Sequence, residues 1–283
     1  MNPVIFEDID QTLIENLATK TIGSAGPSQL DADAWRRILA SKTFGPEGMD
    51  LCKAIARLAR CLCVTVLEEP NSIMALMACR LIPLDKDPGL RPIGVGEVLR
   101  RIIGKAVTKV LKADLQGAAG GLQLCVGLEG DFEAGVHGIR EIFEDRETEG
   151  LIQVDVENAL NSINRKILLH NIYILCPAIA TYLQNCYAVP ARLFVTGGVE
   201  IISEEGTTLG DPTSLPSYAI GMLPLMTTIK SVVNSTLANE HNGSTVDQHH
   251  KVRHAAFADG LTGTAEYILF ESGGTQARDM GHF

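Results

Sequence analysis

Between Val98 and Leu111 the apolar residues Val98, Leu99, Ile102, Ile103, Ala106, Val107, Val110 and Leu111 recur at helical spacing. Later in the chain the period changes to two. From Leu151 to Val156, Ile152, Val154 and Val156 fall on one side, and Leu151, Gln153 and Asp155 on the other. A period near 3.6 buries a helix stripe and a period of two buries one face of a strand. A chain with both must pack helices against a sheet.

The rest of the sequence extends this pattern. Asp31 or Asp33 is available to cap a helix through Trp35 to Ala40, and a second helix is expected from about Asp50 to Cys63, with Gly26-Pro27 and Gly45-Pro46 as punctuation. Ala78 to Leu84 reads as a strand, followed by a turn at Asp87-Pro88-Gly89. After Asp155, Asn158 or Asn161 caps a helix through Arg165 to Asn171, and helical sequence continues from about Ile179 to Tyr187. Leu193 to Ile202, broken by Gly197-Gly198, reads as a hairpin. Asp211-Pro212 opens a helix toward Ile229, residues 234–251 read as a polar loop, and Ala255 to Thr262 reads as two short strands around Asp259-Gly260. Strands arriving in hairpins as well as crossovers predict an α+β fold and not a doubly wound sheet. Gly94-Val95-Gly96 imitates a dinucleotide-binding loop, but Leu99 stands where the third glycine belongs, so that reading is set aside.

With 283 residues, 46% of them apolar and 20% charged, the chain can bury a core in one or two domains. The longest apolar run, Tyr218 to Met226, falls short of the roughly 18 residues of a membrane span and contains Gly221 and Pro224. The first residues, MNPVIFEDID, lack the pattern of a signal peptide, so an intracellular setting, cytoplasm or nucleus, is expected. The 7 cysteines carry no metal-ligand spacing and read as reduced, mostly buried thiols; His249, His250 and His254 read as loop residues.

A net charge of −10 argues against a protein that coats nucleic acid, yet the charge is uneven. Arg80 to Lys112 carries +5, suited to phosphates, and Glu129 to Asn161 carries −8, suited to cations; each also reads as a solvated face. Asp155 at a strand end and Asp259 at a hairpin tip could hold hard divalent cations, which prefer carboxylate oxygens, although such aspartates are common for structural reasons alone.

Four segments carry a resemblance. RLIPLDKDPGLRPIGVGEVLRRIIGKAV is similar to the fingers motifs of reverse transcriptases, in particular those of non-LTR retrotransposons. VDVENALNSINRKIL resembles their first palm motif, SEEGTTLGDPTSLPSYAIGMLPL the glycine-rich loop and helix of the second, and HAAFADGLTG the catalytic hairpin. They stand in the family's order over about residues 80–263, and GPSQLDADAW looks like the turn that precedes the fingers. The resemblance implies an RNA-directed DNA polymerase with right-hand fingers and palm. Its domains would be an N-terminal helical extension over 1–79, fingers over 80–125, and a palm over 126–283 with a ferredoxin-like antiparallel sheet packed on helices.

Roles follow as implications of that resemblance. Asp155 and Asp259, with the carbonyl of Val156, would hold Mg²⁺ or Mn²⁺; Lys86 and Arg91 would grip the triphosphate of the dNTP. Gly206 and Gly210 would let the backbone approach the paired template and substrate, and Leu160 and Leu209 would border the nucleotide. Arg100, Arg101 and Lys105 would lie near phosphates of the RNA template or DNA primer, with a solvated face as the alternative.

Three positions depart from the family. Gly260 replaces the second aspartate of the hairpin, Leu209 replaces a glutamine, and Leu160 replaces the aromatic residue that guards the sugar's 2′ position. The residues after Thr262, ending in ESGGTQARDMGHF, do not read as the family's helical thumb, so the thumb is expected to be absent. Together these imply a polymerase that is weak or inactive, or a non-catalytic remnant that folds and at most binds nucleic acid.

Overall fold

The computed structural model describes residues 3–85, 89–120, 123, 126, 131–144, 148–156, 158–195, 197–208, 210–241, 253–259 and 264–272. After a short 3-10 turn at Pro3–Asp8 come helices α1 (Gln11–Lys20), α2 (Ala32–Ala40), α3 (Gly45–Val64) and α4 (Met74–Met77). Strands β1 (Cys79–Asp85) and β2 (Leu90–Gly96) follow, then α5 (Val98–Val110), α6 (Lys112–Ala119), α7 (Asp131–Glu144) and β3 (Thr148–Val156). The second half adds α8 (Ala159–Ser162), α9 (Arg165–Leu175), α10 (Pro177–Tyr187), β4 (Ala191–Val195), β5 (Glu200–Ser203), α11 (Ser214–His241), β6 (Arg253–Asp259) and β7 (Thr264–Ser272). The fold is α+β. Among the described residues no helix is long and apolar enough to cross a membrane.

Two sheets organise the strands. The first has the order β2-β1-β4-β5: β1 pairs antiparallel with β2 and β4 with β5, while β1 and β4 run parallel through Cys79–Leu193, Arg80–Phe194 and Leu81–Val195. The second has the order β3-β7-β6 and is antiparallel throughout. Gly94 and Gly96 lie on β2 inside the first sheet, which leaves no dinucleotide-binding loop there.

The core is assembled from distant parts of the chain. Phe6, Leu62, Ile102, Val107, Leu183 and Ile220 belong to one buried cluster. That single cluster crosses both expected domain boundaries, near residues 79 and 125, because helices of the N-terminal extension pack on α5 and α10. Leu160 belongs to a smaller cluster with Ala159 and Tyr218.

Several element ends differ from the sequence expectations, each for a local reason. α3 begins at Gly45, earlier than Asp50, because Pro46 suits the first turn of a helix, where its missing N–H is no loss. Asn164 caps α9, its side chain accepting from the Ile167 amide at 3.0 Å, while Asn158 takes a left-handed conformation at φ 50°. α11 starts at Ser214, because Asp211 folds back on itself: its Oδ1 accepts from the Thr213 amide at 2.8 Å. The same helix continues to His241, through the first part of the stretch expected as loop. Asp31 caps α2 as expected, accepting from the Ala34 amide at 2.7 Å.

Candidate active site

The two candidate metal-binding aspartates sit on the second sheet. Asp155 is the penultimate residue of β3 and Asp259 the last residue of β6, and both strands pair with β7. Asp155 is the register partner of Glu266, Phe257 faces the same Glu266, and Asp259 is the partner of Thr264. Register partners share a face of a sheet, as do residues two apart on one strand. Positions 155, 259, 264 and 266 therefore lie on one face, near the end where β3 and β6 finish. Two strand spacings, about 10 Å, separate β3 from β6 laterally. Glu266 adds a third carboxylate position between them. Sequence reasoning passed over it, although the alternation of Thr264 and Glu266 with Ala265 and Tyr267 was the available signal.

In chemical type, carboxylate oxygens, this donor set fits a hard divalent cation. Among the residues whose side chains are described, no group of three or more His, Cys, Asp or Glu converges.

The loop between β5 and α11, which contains Gly206 and Gly210, is held from inside the protein. Arg165 donates through Nε to the Gly206 carbonyl at 3.0 Å, through Nη1 to Ser203 O at 3.1 Å and through Nη2 to Glu205 O at 2.8 Å. The Gly206 amide donates to Ile163 O at 2.8 Å and the Thr207 amide to Leu160 O at 2.6 Å. Gly206 has φ 67°, and a Cβ there would stand 2.2 Å from the Asn161 carbonyl oxygen. Its glycine is required by the approach of the chain to itself, whereas the family resemblance implied an approach to the template and substrate. Gly210, at φ 87°, is exposed, and a Cβ there would meet nothing within 4 Å among the described residues.

Behind the loop lies a buried charge network that the sequence did not announce. Arg100 is 2% exposed, and its Nη2 lies 2.6 Å from Asp211 Oδ2 and donates to the Tyr187 hydroxyl at 3.0 Å. The Thr208 amide donates to the same hydroxyl at 3.3 Å. The Arg100 and Arg165 guanidinium carbons each lie 5.4 Å from the centre of the Tyr187 ring. Burial by itself lowers the pKa of Arg100, but Asp211 and then Tyr187 outweigh it and hold the group well above its usual value. Burial, followed by the Asp211 charge, raises Tyr187, and burial pushes the neighbouring Cys186 thiol up to about 12. Cys79, beside Arg100, is raised by burial too. Cys52, Cys63, Cys79, Cys176 and Cys186 are buried free thiols, as expected, Cys61 is exposed, and Cys125 lies outside the described residues.

These contacts correct the expected basic face. Arg100 cannot reach a template phosphate, since its charge is spent internally on Asp211. Arg101 donates through Nη1 to Ile22 O at 3.0 Å and through Nη2 to Ser24 O, and Lys105 donates to Thr21 Oγ1 at 3.3 Å, so both staple the N-terminal segment to α5. Burial lowers the pKa of each, and for Lys105 the nearby Arg101 adds to the effect. Leu160 is corrected as well: at 1% exposure it packs on Tyr218 and does not border an open sugar pocket.

Lys86, Leu209 and Gly260 lie outside the described residues, as do His249 and His250, and Arg91 is described only as a backbone position on β2, partnered with Leu84. A cleft of about 650 Å³ opens beside the loop, with Arg165, Lys166, His170, Tyr173 and Glu204 among its walls. Comparison with protein-family models and with curated proteins gave no match to this chain.

Proposed function

We propose that this chain is the fingers and palm of an RNA-directed DNA polymerase of the non-LTR retrotransposon type, with weak or lost nucleotidyl transfer. The observation that carries the reading is the register of the second sheet, on which positions 155 and 259 share one face and one end. The motif order supports it, and the antiparallel β3-β7-β6 sheet is compatible with part of a ferredoxin-like palm.

In this reading Asp155, Asp259 and the Val156 carbonyl hold Mg²⁺ or Mn²⁺, which when bound supplies activation of the primer 3′-hydroxyl and neutralisation of the leaving pyrophosphate. Lys86, which falls between β1 and β2 in the sequence, and Arg91, at a backbone position on β2, bind the dNTP triphosphate. The loop at Gly206 to Gly210, fixed through Arg165 and Tyr187, orients the base of the incoming nucleotide against the RNA template. Gly260 withholds a carboxylate from this neighbourhood, a loss that lowers turnover by roughly a hundredfold or more.

The second reading, a non-catalytic remnant, is favoured by Leu160 and Arg100, two positions of expected function that are consumed by packing. Primer extension on an RNA template, with Mg²⁺ and then Mn²⁺, separates the two. Metal-dependent extension that disappears in Asp155→Asn supports the polymerase, and the pair Gly260→Asp with Leu209→Gln raises it. No extension by either the parent or the restored variant at high protein concentration overturns it in favour of the remnant.

A further inference from the structure

The first sheet ends in two edges, and they are not alike. β2 carries Pro92, which has no amide to offer a further strand. β5 has neither proline nor lysine, and its apolar side chains stay in water on both faces: Ile201 is 44% exposed, Ile202 50%, and Val199 just before the strand 59%. An edge with free amides and β-branched apolar side chains is one that proteins normally blunt or cover.

The hairpin hydrogen bonds fix which groups of this edge are free. The Val195 amide donates to Val199 O at 2.8 Å, and the register continues unbroken through Phe194–Glu200, Leu193–Ile201, Arg192–Ile202 and Ala191–Ser203. Hydrogen-bonded and non-bonded pairs alternate in an antiparallel ladder. Leu193–Ile201 and Ala191–Ser203 are therefore the bonded pairs, and the amides and carbonyls of Glu200 and Ile202 point away from β4. None of these groups has a partner among the described residues.

Backbone groups spaced in this way are met by an extended strand, and the side chains select which one. A second copy of β5, antiparallel about a two-fold axis, meets them with Ile201 opposite its own counterpart and Glu200 opposite the Ile202 of the other copy. Moving the axis one residue either way would set Glu200 against Glu200 or against Glu204, and like charges directly opposite are destabilising. The axis at Ile201 avoids both. On one face it joins Leu193, Ile201 and their counterparts into a single apolar row. On the other face Arg192, which pairs with Glu200 of its own copy at 3.1 Å, stands in the same row as Glu200 of the other copy, so the charges of the two edges are complementary.

We propose that β5 is the contact of a symmetric dimer of this chain, in which the two first sheets continue into one another across the paired edges. The dimer does not depend on the polymerase reading. A 4-residue edge falls short of the roughly 1,200 Å² of a stable interface, so the association is weak and reversible. The net charge of −10 on each copy opposes the encounter, and physiological salt screens it beyond about 8 Å.

Sedimentation equilibrium of the full chain in about 0.15 M salt is expected to show a monomer–dimer equilibrium within concentrations up to roughly 1 mM. Ile202→Pro removes an outward amide and leaves the bonds to β4 in place; because the axis repeats the loss, it is expected to weaken the dimer about tenfold or more without changing Tm. Ile202→Val, which keeps the amide and the branched side chain, is expected to dimerise as the parent does. A second measurement stands even if the proline variant does not fold. In a Cys61→Ser background, which removes the exposed thiol, Ile201→Cys is expected to form a disulfide dimer on mild oxidation, because its thiol meets its counterpart at a non-hydrogen-bonded pair, whereas Ile202→Cys is expected to stay monomeric. A parent chain that remains monomeric over the whole range overturns the proposal and leaves the edge to a strand of a different protein. A dimer that Ile202→Pro leaves unchanged, or equal crosslinking of the two cysteine variants, overturns it as well.

Discussion

The two sheets carry the two halves of the candidate active site, and they fix them by different means. Around the first sheet, side chains do the fixing: Arg165, Tyr187, Arg100 and Asp211 bind the loop after β5 through a continuous buried network. On the second sheet, backbone register aligns the carboxylate positions 155, 259 and 266. A side-chain network fails at the removal of one member, because the partners left behind are buried charges. Register fails only if a strand slips, and a slip by one residue turns every position to the other face.

That difference can be broken or sharpened by experiment. The largest effect tests register and is all-or-none: in a Cys61→Ser background, Ala258→Cys with Ala265→Cys, which are direct partners, should oxidise nearly completely. Ala256→Cys with Ala265→Cys, a diagonal pair, should remain reduced by intact mass, and crosslinking of both pairs to the same extent would show the register to be wrong. Next, Asp211→Asn leaves Arg100 buried without its counter-charge and should lower unfolding stability in urea by about 3–5 kcal/mol. Adding Arg100→Met should recover more than half of that loss. Gly206→Ala should cost about 3 kcal/mol or more, because the left-handed backbone and the Asn161 carbonyl both oppose a Cβ, while Gly210→Ala at its open site should cost about 1 kcal/mol. Equal losses at the two glycines would mean that the loop is not pinned. The smallest is Tyr187→Phe, about 1–2 kcal/mol, read together with faster hydrogen exchange at the Thr208 amide.

What the sequence disclosed, and what it withheld, follows the range of the interactions involved. The strand from Cys79, the helix from Val98, the hairpin spanning Leu193 to Ile202 and the cap at Asp31 were legible, because each rests on neighbours a few residues apart. Arg100 was misread because its partners, Tyr187 and Asp211, stand far along the chain and leave no local spacing to detect. Arg165 was read as a helix residue for the same reason. Leu160 was assigned a role by analogy, and only the arrival of Tyr218 from α11 shows it committed to a core. Glu266 was missed because the hairpin was expected to end at Thr262, so the alternation beyond it was never weighed against a pairing partner.

The pairing of β3 with β7 also governs the order in which this protein can be made. Val156 meets Ala265, and Thr148 meets Ser272, more than a hundred residues further along. Helices α1 to α5, which contact one another locally, can dock soon after they leave the ribosome, whereas β3 must wait with unpaired amides until the last strand is synthesised. During that interval its Ile152, Val154 and Val156 stripe is an open template for strands of other chains, so nascent copies of this protein are most vulnerable to aggregation, and most dependent on chaperones, at a point where most of their core is already built.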